Sequence, residues 1–531
     1  MEWKAETVAL ARRAAGLTLD RVLANQACIR PDAPAIIDGD HAVTYEQLDA
    51  HSSRLAHVLL DRGMAHGSRV AVLSENSIEL CVLLYAAAKI GAAVAVLNWR
   101  LRATELAYCT DLVGASIVCC STTRESQLGE ATALLHGATE SVCLGKVGDD
   151  ATAGTLFGQA AGKPCTAPNV EFDHETILAI LYTSGTTGVP KAAAISHRAL
   201  IARAGVMAAE LRLCNDDGFI GWAPMFHMVS TDYMFITHCY GGKFIVMDGF
   251  DAKAIVDVLI EHRIGWMVLM PATITPVIEQ LERADRPVRG VRAVGAMADL
   301  VPPQHIARLT ELLDAPYFNS FGSTESGTVP SAGSLMAKGV APDDYAKTQT
   351  AFCDVALLDS DGRPVGRGGV GELNLRGQTM FSGYWNDDSA TREVFGSGWY
   401  RSGDLFTRTT DGRLSFVARS RYMIKSGGEN IYPAEIERVL MQHSSVVEVV
   451  VVRRADPRWG EVPVAVAAVN EPSTTAADLI SFCADRLAGY KRPKDIYFRP
   501  LEGFPRNVTG KVIREQLELQ VAEGLETAPT Q

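Results

Sequence analysis

A hydroxyl- and glycine-rich stretch ending in a lysine, Thr183-Ser184-Gly185-Thr186-Thr187-Gly188-Val189-Pro190-Lys191, carries the parts needed to hold a polyphosphate. Gly185 and Gly188 permit positive φ and close backbone approach. The hydroxyls of Thr183, Ser184, Thr186 and Thr187 can donate to phosphate oxygens, and Lys191 supplies charge. The stretch is not a Walker A loop: the glycine spacing differs, Ala192 stands where a Ser or Thr would hold magnesium, and no helix is predicted at the lysine. Apolar runs at 177–182 and 192–195 flank it, so it is expected to join two extended segments rather than act as a flexible linker.

Further segments could complete a nucleotide site. Phe321-Gly322-Ser323-Thr324-Glu325 follows an expected strand end at Tyr317-Phe318-Asn319. Its aromatic can present a flat face to a base, and Thr324 and Glu325 could reach phosphate and magnesium. In Gly403-Asp404 the carboxylate suits a pair of ribose hydroxyls. Ser426-Gly427-Gly428-Glu429-Asn430-Ile431 and Pro505-Arg506-Asn507-Val508-Thr509-Gly510-Lys511 lie beyond. Taken singly, each has an ordinary reading: a turn, a hairpin Gly-Asp, a solvated surface lysine at 511. Their order and separation alongside 183–191 make coincidence the poorer account.

The bulk numbers set limits. A chain of 531 residues has room for two or three domains with separate cores, and 47% hydrophobic with 21% charged residues is ordinary for a globular protein. A net charge of −12 argues against nucleic acid, whose phosphates need clustered Lys and Arg. The eleven cysteines include no CxxC pair, which disfavours zinc and dithiol redox chemistry. Cys119-Cys120, in an apolar run, reads as a buried strand of free thiols in a reducing, cytoplasmic setting. The first residues carry acids early and no secretory apolar region. The longest apolar tract, 81–97, is broken by Lys89 and Gly91, and a helix followed by a strand is expected there rather than an integral membrane segment.

These residues must be positioned by regular elements. Thr44 and Gln47 have capping-box spacing and predict a helix of roughly 16 residues running to Gly63. Strands are expected at 70–73, 92–97 and 117–120, with helices over 77–89 and from 103, an alternation that implies a largely parallel sheet covered by helices. After the hydroxyl-rich loop, Ser196 caps a helix, strands are expected at 219–222, 244–247, 266–269 and 291–294, and a helix starts from Asp251. Residues 352–416 are rich in Gly, Asp and short apolar runs, predicting hairpins and a small β-region. Beyond Arg421 lies a piece of about 100 residues, large enough to fold separately. It is expected to carry helices at 434–441 and 475–487 and strands at 446–452, 462–469 and 496–498.

In this order the motifs resemble the adenylate-forming superfamily of acyl-CoA synthetases, peptide-synthetase adenylation domains and firefly-type luciferases, over about residues 19–511. Gly427-Gly428-Glu429-Asn430-Ile431-Tyr432-Pro433, Trp459-Gly460-Glu461 and Tyr490-Lys491-Arg492-Pro493-Lys494 are similar to AMP-forming fatty-acyl and aryl-CoA ligases. The resemblance implies an α/β fold. A large N-terminal domain, 1–420, would hold two α/β subdomains and a small β-barrel. A small, mobile α+β C-terminal domain, 422–531, would follow, with a hinge near Arg421. The implied reaction joins a fatty, aromatic or alicyclic carboxylic acid to CoA through an acyl-adenylate, with Mg2+ as cofactor and ATP and CoA as co-substrates. A homodimer is compatible with it, and neither a nucleic acid nor a membrane partner is implied.

The resemblance also implies site residues. Residues 183–188 would hold the β- and γ-phosphates with Lys191 as an accessory, Thr324 the α-phosphate and Glu325 the magnesium ion. Phe321 and Gly295-Ala296-Met297 would bracket adenine beside Asn319, Gly322 and Ser323, while Asp404 and Arg419 would hold the ribose. Lys511 would bridge substrate carboxylate and phosphate. His227, in Pro224-Met225-Phe226-His227-Met228, would line the acyl-carboxylate site, with Met228, Thr231 and Asp232 as wall residues. Asp232 would repel a bare acyl chain, so it faces away or meets a polar group on the substrate. CoA would meet Arg100, Ser426, Gly427, Gly428, Trp459, Tyr490, Lys491 and Arg492. Most relatives have Asp or Lys at the position of Arg421 and Gly at that of Ala418. The alternatives are an adenylating enzyme that loads a carrier protein and a non-enzymatic nucleotide-binding module. Against the first, Phe226 is followed by His227 rather than by the aspartate that pairs with an amino group.

Overall fold

The computed structural model describes residues 11, 14–137, 139–148, 152–184, 190–426, 429–484, 486–506 and 512–524. Near its start, Thr44 and Gln47 form a reciprocal capping box at the helix Tyr45–Asp61, 17 residues long. The next helix, Ile78–Lys89, is capped by the Ser77 hydroxyl and buried on every face. That is the fate of a segment apolar all round. Lys89, the charge interrupting the long apolar tract, is buried against Asp49 at 2.6 Å. Among the described residues no helix is long and apolar enough to cross a membrane.

Two wound sheets carry the N-terminal part. The seven-stranded sheet runs Gly383–Tyr384, Pro190–Ser196, Ile177–Ser184, Ala93–Val96, Arg69–Leu73, Ile117–Cys120, Glu140–Cys143. It is parallel from Ile177–Ser184 onward, while Pro190–Ser196 returns antiparallel and Gly383–Tyr384 adds antiparallel to its outer edge. Cys119 and Cys120 are free and buried in that sheet. The eight-stranded sheet has a parallel core of Pro34–Asp38, Lys243–Val246, Gly218–Gly221, Ile264–Met267, Val291–Val294 and Tyr317–Phe318. The strand expected at 266–269 starts earlier, at Ile264, because Ile264 pairs with both Gly218 and Val291. The buried Val268-Leu269 continue the apolar run past the strand end.

Residues 354–419 form a four-stranded antiparallel sheet of Asp354–Leu358, Val370–Arg376, Tyr400–Arg408 and Leu414–Arg419. Among the described residues its outer strands do not pair with each other, so this sheet is open where a small barrel is expected. Beyond it, a last sheet draws only on residues after the 3-10 turn Ser420–Tyr422. Its long hairpin, Val446–Asp456 with Gly460–Val469, buries one face under Pro433–Leu440 and Ala476–Ala484 and the other under Arg514–Ala522. Helix Pro433–Leu440 also lies against strand Leu414–Arg419 of the preceding sheet.

Candidate active site

The hydroxyl-rich stretch begins and ends on the paired antiparallel strands Ile177–Ser184 and Pro190–Ser196. Thr183 faces Lys191 and Ser184 faces Pro190 across its base, while Gly185, Thr186, Thr187 and Gly188 lie outside the described residues. Lys191 sits with Nζ 5.1 Å from the ring centroid of Tyr384. Tyr384 in turn donates from its hydroxyl to Glu325 Oε1 at 2.8 Å, and Phe381 N–H donates to the Glu325 carbonyl at 2.8 Å. These contacts join strand Pro190–Ser196 to the turn that carries Thr324. Ser323 and Gly327 pair across that turn, and Thr324 stands half-exposed at it. Gly322, by contrast, is pressed so near the Gly327 carbonyl that a Cβ there would lie 1.9 Å away.

The expected adenine and ribose residues divide. Gly295 (φ +92) ends the strand Val291–Val294, and a Cβ on it would meet the buried Tyr317 ring at 2.3 Å. Its carbonyl accepts from Trp266 Nε1 at 2.7 Å, and Ala296 N–H donates to the Tyr317 hydroxyl at 3.4 Å, which holds the segment leading to the half-exposed Met297. Phe321 is 7% exposed and packs edge-on against Phe406, centroids 4.8 Å apart. Asn319 requires a correction: its side chain is fully buried and faces the protein. Oδ1 accepts from Ala298 N–H at 3.0 Å and from Lys347 Nζ at 2.7 Å, and Nδ2 donates to the Tyr345 carbonyl at 2.9 Å. Asp404 and Arg419 face each other on adjacent strands, Oδ1 to Nε 2.9 Å. Burial disfavours the Arg419 charge, but Asp404, Tyr400 and Glu325 draw its pKa up, so these groups share one electrostatic environment.

The residues present fit a magnesium ion carried in on a nucleotide. Glu325 is a buried carboxylate beside a half-exposed threonine. Among the described residues no group of three or more His, Cys, Asp and Glu could hold a metal unaided.

On the acyl side the structure corrects two expected wall residues. Thr231 and Asp232 are fully buried. The Thr231 hydroxyl donates to the Met225 carbonyl, and Asp232 Oδ2 accepts from Arg203 Nη1 at 2.6 Å. Both lie on helix Met228–Cys239, which packs against His197–Leu211, where Asp232 meets Arg203; Met228 and His227, at its start, remain half-exposed. Burial, with the Arg100 charge nearby, pushes His227 down to about 4, so the ring is neutral at pH 7. Arg100 is exposed and lies 4.8 Å from the Trp99 ring centroid and 5.9 Å from that of Phe226.

The expected CoA residues beyond Arg421 also divide. Trp459 and Tyr490 are exposed, while Ser426 is buried in strand Ile424–Ser426. Lys491 is not a free cation, since Nζ lies 2.7 Å from Glu435 Oε1. Arg492 is corrected to a helix-end residue: Nη2 donates to the Ala484 carbonyl at 2.8 Å and Nε to that of Leu487 at 3.3 Å. Gly427, Gly428 and Lys511 lie outside the described residues. Arg421 sits in the 3-10 turn Ser420–Tyr422, its guanidinium 3.2 Å from Glu515, which also accepts from the Tyr422 hydroxyl at 2.7 Å.

A family model described as AMP-binding enzyme matches residues 23–385, and one described as AMP-binding enzyme C-terminal domain matches residues 435–511. The chain belongs to the AMP-binding enzyme family. The long-chain-fatty-acid–CoA ligase FadD13 of Mycobacterium tuberculosis is 31% identical over 509 residues, 94% of this chain and 97% of that protein. The indoleacetate–CoA ligase of Aromatoleum aromaticum is 32% identical over 517 residues, 95% and 98% of the two chains. The fold is similar to that of o-succinylbenzoate CoA synthetase from Bacillus subtilis, solved with its acyl-adenylate intermediate. That match has a TM-score of 0.80 at 24% identity and covers 94% of this chain and 97% of that one.

Within this AMP-binding enzyme, Tyr384, Arg203 and Trp99 stand at the site without belonging to any motif read from the sequence. Tyr384 gains its place because Gly383–Tyr384 pairs with Ala193-Ala194 of strand Pro190–Ser196, a register no local pattern announces. Trp99 meets Phe226 edge-on at 6.0 Å, and the guanidinium groups of Arg100 and Arg124 lie 4.8 and 4.5 Å from its ring centroid. The only local signal for either was an aromatic next to other aromatic or basic residues.

Proposed function

We infer that the chain is an AMP-forming acid–CoA ligase, converting a fatty, aromatic or alicyclic carboxylic acid, ATP and CoA to acyl-CoA, AMP and pyrophosphate through an acyl-adenylate. The observation that carries this reading is the contact run Lys191–Tyr384–Glu325, which ties the phosphate hairpin to the Thr324 turn in a chain of this family. The acids named for the two relatives, a long-chain fatty acid and indoleacetate, support the substrate class. The free buried thiols support a cytoplasmic setting.

In the first half-reaction a carboxylate oxygen attacks the α-phosphorus of ATP, the bond to the β-phosphate oxygen breaks, and pyrophosphate leaves. Negative charge builds on the α-phosphate oxygens, so donors and cations must converge there. Thr183, Ser184, Thr186, Thr187 and the backbone at Gly185 and Gly188 hold the leaving pyrophosphate, with Lys191 at the base of the loop. Thr324 donates to the α-phosphate and Lys511 bridges it to the incoming carboxylate. A magnesium ion, which Glu325 would hold, supplies further charge neutralisation on the phosphates. Gly295, Ala296, Met297, Gly322, Ser323 and Phe321 frame the adenine, and Asp404 with Arg419 orients the ribose.

In the second half-reaction the CoA thiolate attacks the acyl carbonyl and AMP leaves. Its thiol, near pKa 8.5 when unperturbed, must first lose a proton. Lys511 obstructs that approach, so the unit beyond Arg421 rotates about this residue, withdrawing Lys511 and bringing Ser426-Gly427-Gly428 toward the pantetheine path. Arg100, Trp459 and Tyr490 face the nucleotide end of CoA, and neutral His227 borders the acyl carboxylate.

Pyrophosphate exchange into ATP that depends on an organic acid tests the first step. CoA-thioester formation across a panel of fatty, aromatic and alicyclic acids tests the second. Nucleotide binding without acid-dependent exchange would leave only a regulatory module; exchange without a CoA thioester would favour loading of a carrier protein.

A further inference from the structure

Arg203 follows the phosphate hairpin in helix His197–Leu211, and its side chain is 1% exposed. One guanidinium serves three partners. Nη1 donates to Asp232 Oδ2 at 2.6 Å, Nε to the Thr379 carbonyl at 3.0 Å, and Nη2 to the Thr324 carbonyl at 3.0 Å. Its stem also underlies the same turn, because a Cβ on Gly327 (φ +73) would meet Arg203 Cδ at 2.8 Å. A buried ion pair is weak evidence for stability, since well-packed apolar residues often serve as well. An apolar residue could not, however, hold two main-chain carbonyls and a carboxylate in one plane, and a lysine, lacking the planar fork, could not hold all three in that geometry.

Thr379 is no bystander. The chain runs from it directly to Phe381, whose N–H holds the Glu325 carbonyl at 2.8 Å, and on to Tyr384, whose hydroxyl holds the Glu325 carboxylate at 2.8 Å. Arg203 thus grips both main-chain segments that fix Thr324 and Glu325.

We propose that Arg203 is a positioning residue for adenylation, aligning Thr324 and Glu325 through the Thr324 and Thr379 carbonyls, with Asp232 as its counter-ion rather than a contact for the acid. The inference rests on the ligase reading and deepens it. It also settles the odd aspartate on the acyl helix: its charge is spent on holding the guanidinium that builds the neighbouring phosphate site.

The test compares two rates in each variant: acid-dependent pyrophosphate exchange, and thioester formation from supplied acyl-adenylate and CoA. Partial unfolding lowers both in proportion, whereas misplacing Thr324 and Glu325 lowers the first selectively. Arg203→Lys is expected to reduce the ratio of exchange to thioester formation by about 10- to 100-fold, the scale of a misplacement of about 1 Å, and to raise the magnesium concentration for half-maximal exchange. An unchanged ratio would overturn the proposal. If Arg203→Lys does not accumulate folded, Asp232→Asn carries the same test, with a smaller selective fall expected and an unchanged ratio counting against it. Asp232→Asn is also expected to leave the order of preference across the acid panel as it was; an altered order would make Asp232 a substrate contact and overturn its assignment as counter-ion. Absence of exchange in the unaltered protein would overturn the ligase reading itself, and this inference with it.

Discussion

In the proposed reaction Lys511 acts by supplying charge and Gly295 by lacking a side chain. With Lys511→Ala, adenylation is expected to slow by about 10²- to 10³-fold, as when one preorganised donor is removed from an oxyanion site. Thioester formation from supplied acyl-adenylate should stay largely intact, and equal losses in both half-reactions would refute its confinement to the first. Gly295→Ala places a methyl 2.3 Å from ring atoms of Tyr317, which is fully buried and has no room to withdraw. Overpacking of this kind costs about 1–3 kcal/mol, and the positive φ of +92 adds strain. A lower melting temperature with a raised KM for ATP is expected, and a normal KM for ATP would separate this segment from the adenine site.

Among the elements, the 3-10 turn Ser420–Tyr422 is the joint about which the proposed alternation would turn. Its Arg421 and Tyr422 both engage Glu515 on helix Arg514–Ala522, so the joint is tied to the helix that follows Lys511 in sequence. Burial opposes ionisation of Glu515, yet the Tyr422 hydroxyl and the neighbouring arginines hold its carboxyl below its usual range. Replacing Arg421 with proline locks φ and removes the arginine's part of that tie. Arg421→Pro is expected to spare pyrophosphate exchange and slow CoA ligation, measured as the two half-reactions separately; unchanged ligation would place the hinge elsewhere. The two extended segments on either side of 183–191 and the Thr44 capping box were legible from spacing along the chain. The Gly383–Tyr384 strand was not, because two residues carry no periodicity and its pairing partner is distant in sequence.

Across the whole molecule, buried histidines link stability to pH. His238 donates from Nε2 to the Ala35 carbonyl at 2.9 Å and accepts at Nδ1 from the Tyr85 hydroxyl at 3.0 Å; His197 accepts at Nδ1 from Leu19 N–H at 3.0 Å. These neighbours assign the neutral tautomer to each. Burial pushes His197 down to about 3 and His238 to about 4. In the unfolded chain each titrates near 6.5. Between pH 6.5 and those lowered values the unfolded state therefore binds more protons, so stability is full above about 6.5 and falls as pH falls. The urea midpoint is expected to drop between pH 7 and pH 5, and a midpoint flat over that range would contradict buried neutral histidines. Carboxylates held low, such as Asp344 and Glu515, act only at more acidic pH.

The sequence by itself determined the alternation of strands and helices, the hydroxyl and glycine content of 183–191 and the order of the motifs, because those properties reside in residues close together along the chain. It also carried enough to point to the family. Tertiary structure alone decided which charged and polar groups are spent inside the protein. Asp232 pairs with Arg203, Asn319 with Lys347 and Lys491 with Glu435, each across a long stretch of chain. Whether a carboxylate, amide or ammonium is available to a ligand depends on its desolvation and on the partner that compensates it. Both are set by packing between distant segments, which no local pattern of residues encodes.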